Sequence, residues 1–210
     1  MTLVALATPS AGKLVTFSNT KPTLDAKGAI LRAHDGTTQR FDSKPNYYYH
    51  AMGYPHCNET GAINGCNKCI YGHNNSLKVY SSPDLSSGSW KLTDTVYPGA
   101  AGGFPTCTYF RSQAVYNAKT KLYVLWANVA GCKKPCALCP NETSSAYAMG
   151  TSSSPGGAYK FVGMDEPTAA SLGPHHGFIG DEALLVDDDG QVMMLMLPLV
   201  MLLVLVLLLV

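Results

Sequence analysis

Ala114-Val115-Tyr116, Asn117-Ala118-Lys119-Thr120, Lys121-Leu122-Tyr123-Val124-Leu125-Trp126: a short apolar strand, a turn built on Asn, and a second strand rich in aromatic and β-branched residues. The same order recurs downstream. There Leu184-Leu185-Val186 leads into Asp187-Asp188-Asp189-Gly190, then Gln191-Val192-Met193-Met194. A looser copy lies upstream, with Asp42-Ser43-Lys44-Pro45 as the turn and Asn46-Tyr47-Tyr48-Tyr49-His50 as the strand after it. The first two copies each carry a later strand closed by its own turn. In one it is Leu77–Ser81 followed by Ser82-Pro83-Asp84-Leu85 and Trp90; in the other it is Tyr147–Thr151 followed by Ser152-Ser153-Ser154-Pro155-Gly156-Gly157 and Tyr159. Two hairpin-like pairs per repeat predict four-stranded propeller blades with long loops. A jelly roll or immunoglobulin-like sandwich is the alternative, and it does not account for the matched order of strands and turns.

Composition agrees with an all-β chain. The 210 residues include 20 Gly, 13 Pro and 12 Tyr, and long helix-forming runs are absent. Charged residues are 14% and the net charge is +1, with no basic stripe. Nucleic acid is excluded as a partner, because that binding needs Lys and Arg clustered against phosphates. Seven cysteines (Cys57, Cys66, Cys69, Cys107, Cys132, Cys136 and Cys139) and three N-x-S/T sequons, at Asn58, Asn74 and Asn141, point to a secreted or extracellular protein. Cys66-x2-Cys69 and Cys136-x2-Cys139 lie too far apart for an ordinary zinc ribbon. Local disulfides are the better reading, with no metal and no cofactor expected.

Three segments follow. Residues 1–24 are an irregular lead-in, 25–191 hold the repeats, and 192–210 are almost purely Leu, Val and Met. As a helix, that tail would span about one hydrocarbon thickness. It reads either as a membrane anchor or as a gene-model artefact.

Ile30-Leu31-Arg32-Ala33-His34-Asp35-Gly36 with Tyr47-Tyr48-Tyr49 resembles the opening blade of glycoside hydrolase family 43 propellers, on the branch near the exo-galactanases. Val79–Leu85 with Trp90, Arg111–Asn117 with Tyr123–Trp126, and Gly180-Asp181 through Gly190 resemble later pieces of the same family, in order. The resemblance implies a five-bladed β-propeller, of which this chain holds about three blades; the apolar helix expected over 192–210 follows them. A three-blade arc leaves an open sheet edge, and marginal stability is the expectation.

The resemblance also implies hydrolysis of O-glycosyl bonds in a galactan- or arabinan-like polysaccharide, with inversion. That chemistry needs a carboxylate base that activates water and a carboxylic acid that protonates the leaving oxygen. Counting back equally from the three turns aligns Asp35, Phe110 and Gly180, with Asp181 beside the last. Asp35 is then the candidate base and Asp181 the aspartate that tunes the acid. Phe110 stands where the family carries its acid, a glutamate, so a carbohydrate-binding propeller without turnover is the alternative. His34, Arg111, Phe110 and Tyr109 are candidate sugar contacts, through hydrogen bonds or ring stacking.

Overall fold

Half-buried and exposed residues alternate without a break along Ala33–Arg40, the period-two signature of a strand with one wet face. Tyr47–Gly53 and Ser76–Ser82 are buried on nearly every residue, as strands covered on both faces must be. The computed structural model describes residues 14–18, 20–41, 44–53, 75–96, 103–130, 145–165, 182–186 and 192–196. Ten strands lie among them: β1 (Ala33–Arg40), β2 (Tyr47–Gly53), β3 (Ser76–Ser82), β4 (Lys91–Val96), β5 (Thr108–Asn117), β6 (Leu122–Ala130), β7 (Ser145–Ser152), β8 (Lys160–Asp165), β9 (Glu182–Val186) and β10 (Val192–Met196). The described residues contain no helix.

β1–β4 form one antiparallel meander and β5–β8 a second. A single parallel bridge, Gly36 to Ser112, joins their inner strands β1 and β5. The result is one curled eight-stranded sheet in the order β4-β3-β2-β1-β5-β6-β7-β8, with β9–β10 as a separate hairpin. This curled, half-barrel arrangement is that of a partial β-propeller.

Side-chain oxygens shape the turns. Asn117 Oδ1 accepts from the backbone N–H of Lys119 and of Thr120, both at 3.0 Å. Ser82 Oγ accepts from Asp84 N and Leu85 N, and Ser152 Oγ accepts from Ser154 N. The matched Ser/Pro turns of the two repeats therefore use one device, a hydroxyl that replaces a backbone partner. Trp90 and Tyr159, which follow them, are both buried.

The curl brings the two meanders together over a shared core. Leu77, Val79 and Val96 of the first cluster with Ala114, Tyr123, Leu125, Ala127, Val129, Ala146 and Ala148 of the second. Each fully buried large side chain there contributes about 1.5–3 kcal/mol. Cys107, also in this cluster, is disulfide-bonded.

A polar latch crosses the same seam. The turn of the second meander reaches the first, where Asp94 Oδ2 accepts from Ala158 N at 2.8 Å. His50, fully buried on β2, donates from Nε2 to Pro155 O at 2.9 Å and lies 3.1 Å from the Tyr159 hydroxyl. Gly157, at φ 127°, has no room for a side chain, since a Cβ there would stand 2.1 Å from the Asp94 Cβ.

The expected helix over 192–210 is corrected at its start. Val192–Met196 is a strand, paired residue for residue with Val186–Glu182. Apolarity alone does not choose between helix and strand. Here an adjacent strand five residues earlier supplies a hydrogen-bonding edge. Residues 187–191 and 197–210 lie outside the described residues. No helix of the described residues is long and apolar enough to cross a membrane.

Candidate functional site

The leading ends of β1 and β5 carry matching irregularities. The β1–β2 register shifts between His34 and Thr37, and the β5–β6 register between Phe110 and Gln113. In each strand the extra residues form a bulge, a device that re-aims side chains. The residue on the bulge has left-handed backbone: φ is 53° at Asp35 and 47° at Arg111. That conformation is uncommon for any non-glycine residue, least so for Asn and Asp, and such strain collects at functional sites. Gly36 follows Asp35 because nothing larger fits; a Cβ there would meet the His50 carbonyl oxygen at 1.9 Å.

The two bulges aim Asp35 and Arg111 at each other. Arg111 Nε lies 3.3 Å from Asp35 Oδ2, with the two side chains 41% and 24% exposed. Asp35 is thus matched by Arg111, one residue later than the count from the turns places it. The count missed because the turn residues it started from are not equivalent: the two strands carry the same one-residue bulge, and by their registers Asn117 corresponds to Phe41 rather than Asp42. A partly exposed pair of this kind is worth about 1 kcal/mol or less to stability. Its significance is where it sits, at the end of adjacent inner strands and open to solvent.

Around the pair, His34 is exposed and Phe110 is half-buried. Tyr109 corrects the expectation of a sugar contact. It is 1% exposed, packs edge-on against Phe104, and donates its hydroxyl to Pro105 O at 2.5 Å, so it has no face to offer a ligand. Strand parity decides this, since Tyr109 points into the core and Phe110 away from it. Asp181 lies outside the described residues, as do Asn58, Asn74, Asn141 and every cysteine except Cys107. Among the described residues no group of three or more His, Cys, Asp or Glu is placed to hold a metal ion.

Sequence reasoning passed over Tyr49. Burial, with the negative charge of Asp35 adding to it, pushes its hydroxyl up to about 12. The phenol therefore stays protonated beside the carboxylate. Strand alternation across β1–β2 could have found it, since Tyr49 pairs with Thr38 near the Asp35 bulge. A pocket of about 350 Å³ lies elsewhere, lined by Phe17, Leu24, Leu85 and Ser87 where the lead-in meets the Ser82–Trp90 turn.

No protein-family model and no curated protein matches the chain. Solved structures do. A β-1,3-galactosidase of glycoside hydrolase family 43 superposes with a TM-score of 0.57 at 18% identity, over 86% of this chain and 33% of its own. An exo-β-1,3-galactanase from Clostridium thermocellum gives 0.59 at 19% identity, over 86% and 35%. An exo-β-1,3-galactanase from Phanerochaete chrysosporium, in a glutamate-to-glutamine variant with β-1,3-galactotriose, gives 0.59 at 19% identity, over 84% and 35%. The chain has the β-propeller-like fold of these family 43 structures and spans about a third of their length.

Proposed function

From a chain that shares the fold of the family 43 galactanases, we propose a glycosidase-type module that takes a galactan- or arabinan-like oligosaccharide where the inner strands begin. The reaction is hydrolysis of an O-glycosyl bond with inversion. Asp35 activates the water, and Arg111 donates hydrogen bonds to sugar hydroxyls or holds the Asp35 carboxylate in place. The observation that carries this reading is the Asp35–Arg111 pair, 3.3 Å apart on two strained bulges of neighbouring inner strands. Inversion also needs an acid on the far side of the glycosidic oxygen. Asp181 stays in its proposed role of tuning that acid, and the acid itself comes from outside the described residues.

A second reading is a module that binds the sugar without cleaving it. The absence of a carboxyl group along Thr108–Asn117 favours it, because Phe110 and Arg111 stand where the first reading needs the acid. One experiment separates the two. The purified chain is titrated with β-1,3-galactotriose by calorimetry, and the same mixture is followed by proton NMR for new anomeric signals. Binding with release of α-galactose supports the hydrolase. Binding without product supports the second reading, and no heat of binding refutes both. The protein belongs to the secretory route in this proposal, a placement that rests on its seven cysteines and three N-x-S/T sequons.

A further inference from the structure

Propeller blades diverge from their inner strands, so a backbone ladder cannot continue from one blade to the next. The edge N–H and C=O groups of the inner strands then need other partners. Three side-chain amides supply them. Asn75, 2% exposed, donates from Nδ2 to Tyr109 O at 2.7 Å and accepts from Tyr109 N at 2.9 Å. Gln39 Nε2 donates to Ala114 O. Gln113 Nε2 donates to Leu184 O at 3.0 Å, and Gln113 Oε1 accepts from Leu184 N at 3.0 Å. A primary amide offers the same donor and acceptor as a peptide group, so each bidentate contact imitates one rung of a sheet.

Asn75 and Gln39 grip β5 on either side of the Phe110–Arg111 bulge. Gln113, two residues beyond Arg111, reaches the other way and fastens β9, which shares no ladder with the eight-stranded sheet among the described residues. Leu184 is buried at that contact and lies two residues inside the start of β9. We infer that Gln113 is a positioning residue: its amide sets where β9 begins relative to Arg111, and so sets the width of the mouth at which the sugar binds. The sugar half of this inference rests on the proposed function; the clasp itself does not.

The chemistry provides a sharp test. Gln113→Leu removes both hydrogen bonds. Gln113→Glu at pH 7 keeps the acceptor for Leu184 N but sets a carboxylate oxygen against Leu184 O. Protonated near pH 4.5, the same Glu regains a donor and restores both bonds. The full-length chain is labelled for NMR, and the exchange protection of the Leu184 amide is measured with β-1,3-galactotriose affinity, using the unsubstituted chain at each pH as reference. Loss of a bidentate clasp should lower Leu184 protection and sugar affinity on the order of tenfold each. Gln113→Glu should show both losses at pH 7 and recover both at pH 4.5, which a general loss of stability cannot imitate. If the leucine variant does not fold, the glutamate variant at two pH values carries the test alone. Unchanged Leu184 protection at pH 7 overturns the clasp. Lost protection with full affinity overturns the positioning role. If the unsubstituted chain binds no galactotriose, the proposed function fails, and the exchange data still decide whether Gln113 holds β9.

Discussion

Acid should loosen the seam between the two meanders through one residue, His50. Its Nε2–H is committed to the Pro155 carbonyl, and its Nδ1 is buried without a hydrogen-bond partner among the described residues. A second proton would have to sit on Nδ1, which is buried and has no acceptor among the described residues. Burial accordingly lowers its pKa from 6.5 to about 4, against a smaller opposing effect from the Pro155 carbonyl. Tyr159, the titratable group facing it, stays neutral, because burial first and the Asp94 charge second push it up. The unfolded chain therefore takes up the proton first. Stability from this residue is complete above about pH 6.5, falls as pH drops towards 4, and changes no further once the folded form also protonates. A gap of 6.5 to about 4 corresponds to about 3 kcal/mol at ~1.4 kcal/mol per unit. Urea unfolding at pH 7 and pH 4, on the unsubstituted chain and on His50→Gln, isolates the effect. The substitution should remove about 3 kcal/mol of the pH dependence, or about 1–2 M in midpoint at an m-value of ~2 kcal/mol/M. Parallel pH dependence in the two proteins would refute the reasoning.

The remaining expectations are briefer. Asp35→Asn should abolish any turnover of β-1,3-galactotriose, while Arg111→Met should weaken binding on the order of tenfold; calorimetry and product NMR read both, and melting temperatures should move little because the pair is partly exposed. Phe110→Glu, assayed on aryl galactosides, should raise hydrolysis if a carboxyl group at this place is all that is missing, by up to ~10²-fold; no gain removes that idea. Gly36→Ala should cost more than about 3 kcal/mol by denaturant titration, because its methyl group would collide with the backbone of His50 and Ala51. A variant as stable as the parent would show that the bulge is not the tight fit described.

Much of the architecture was legible in the sequence because its signals are local. The Asn117 turn, the paired Ser/Pro turns and the Tyr-rich strand before His50 each advertise themselves within a few residues. What the pattern hid was set by geometry between distant residues. The two turns look alike but are not equivalent residue for residue, Asn117 answering to Phe41 rather than Asp42, so Arg111 rather than Phe110 came to face Asp35. Strands covered on both faces, such as β3, show no polar side to assign, and the same ambiguity let Tyr109 pass for a surface residue. The amide clasps of Asn75 and Gln113 span 34 and 71 residues of chain and carry no local mark at all. The candidate site was half legible, since Asp35 and Arg111 were both singled out but their pairing was not.

The latch from Pro155–Tyr159 onto Asp94 and His50 also bears on how the chain is made. During synthesis the first meander leaves the ribosome long before Pro155 exists. Until then the ring of His50 and the carboxylate of Asp94 face water, and Leu77 and Val79 have no opposite wall. The first meander therefore waits for the second, and a pause in translation between Val96 and Pro155 would leave its apolar side uncovered for chaperones to hold.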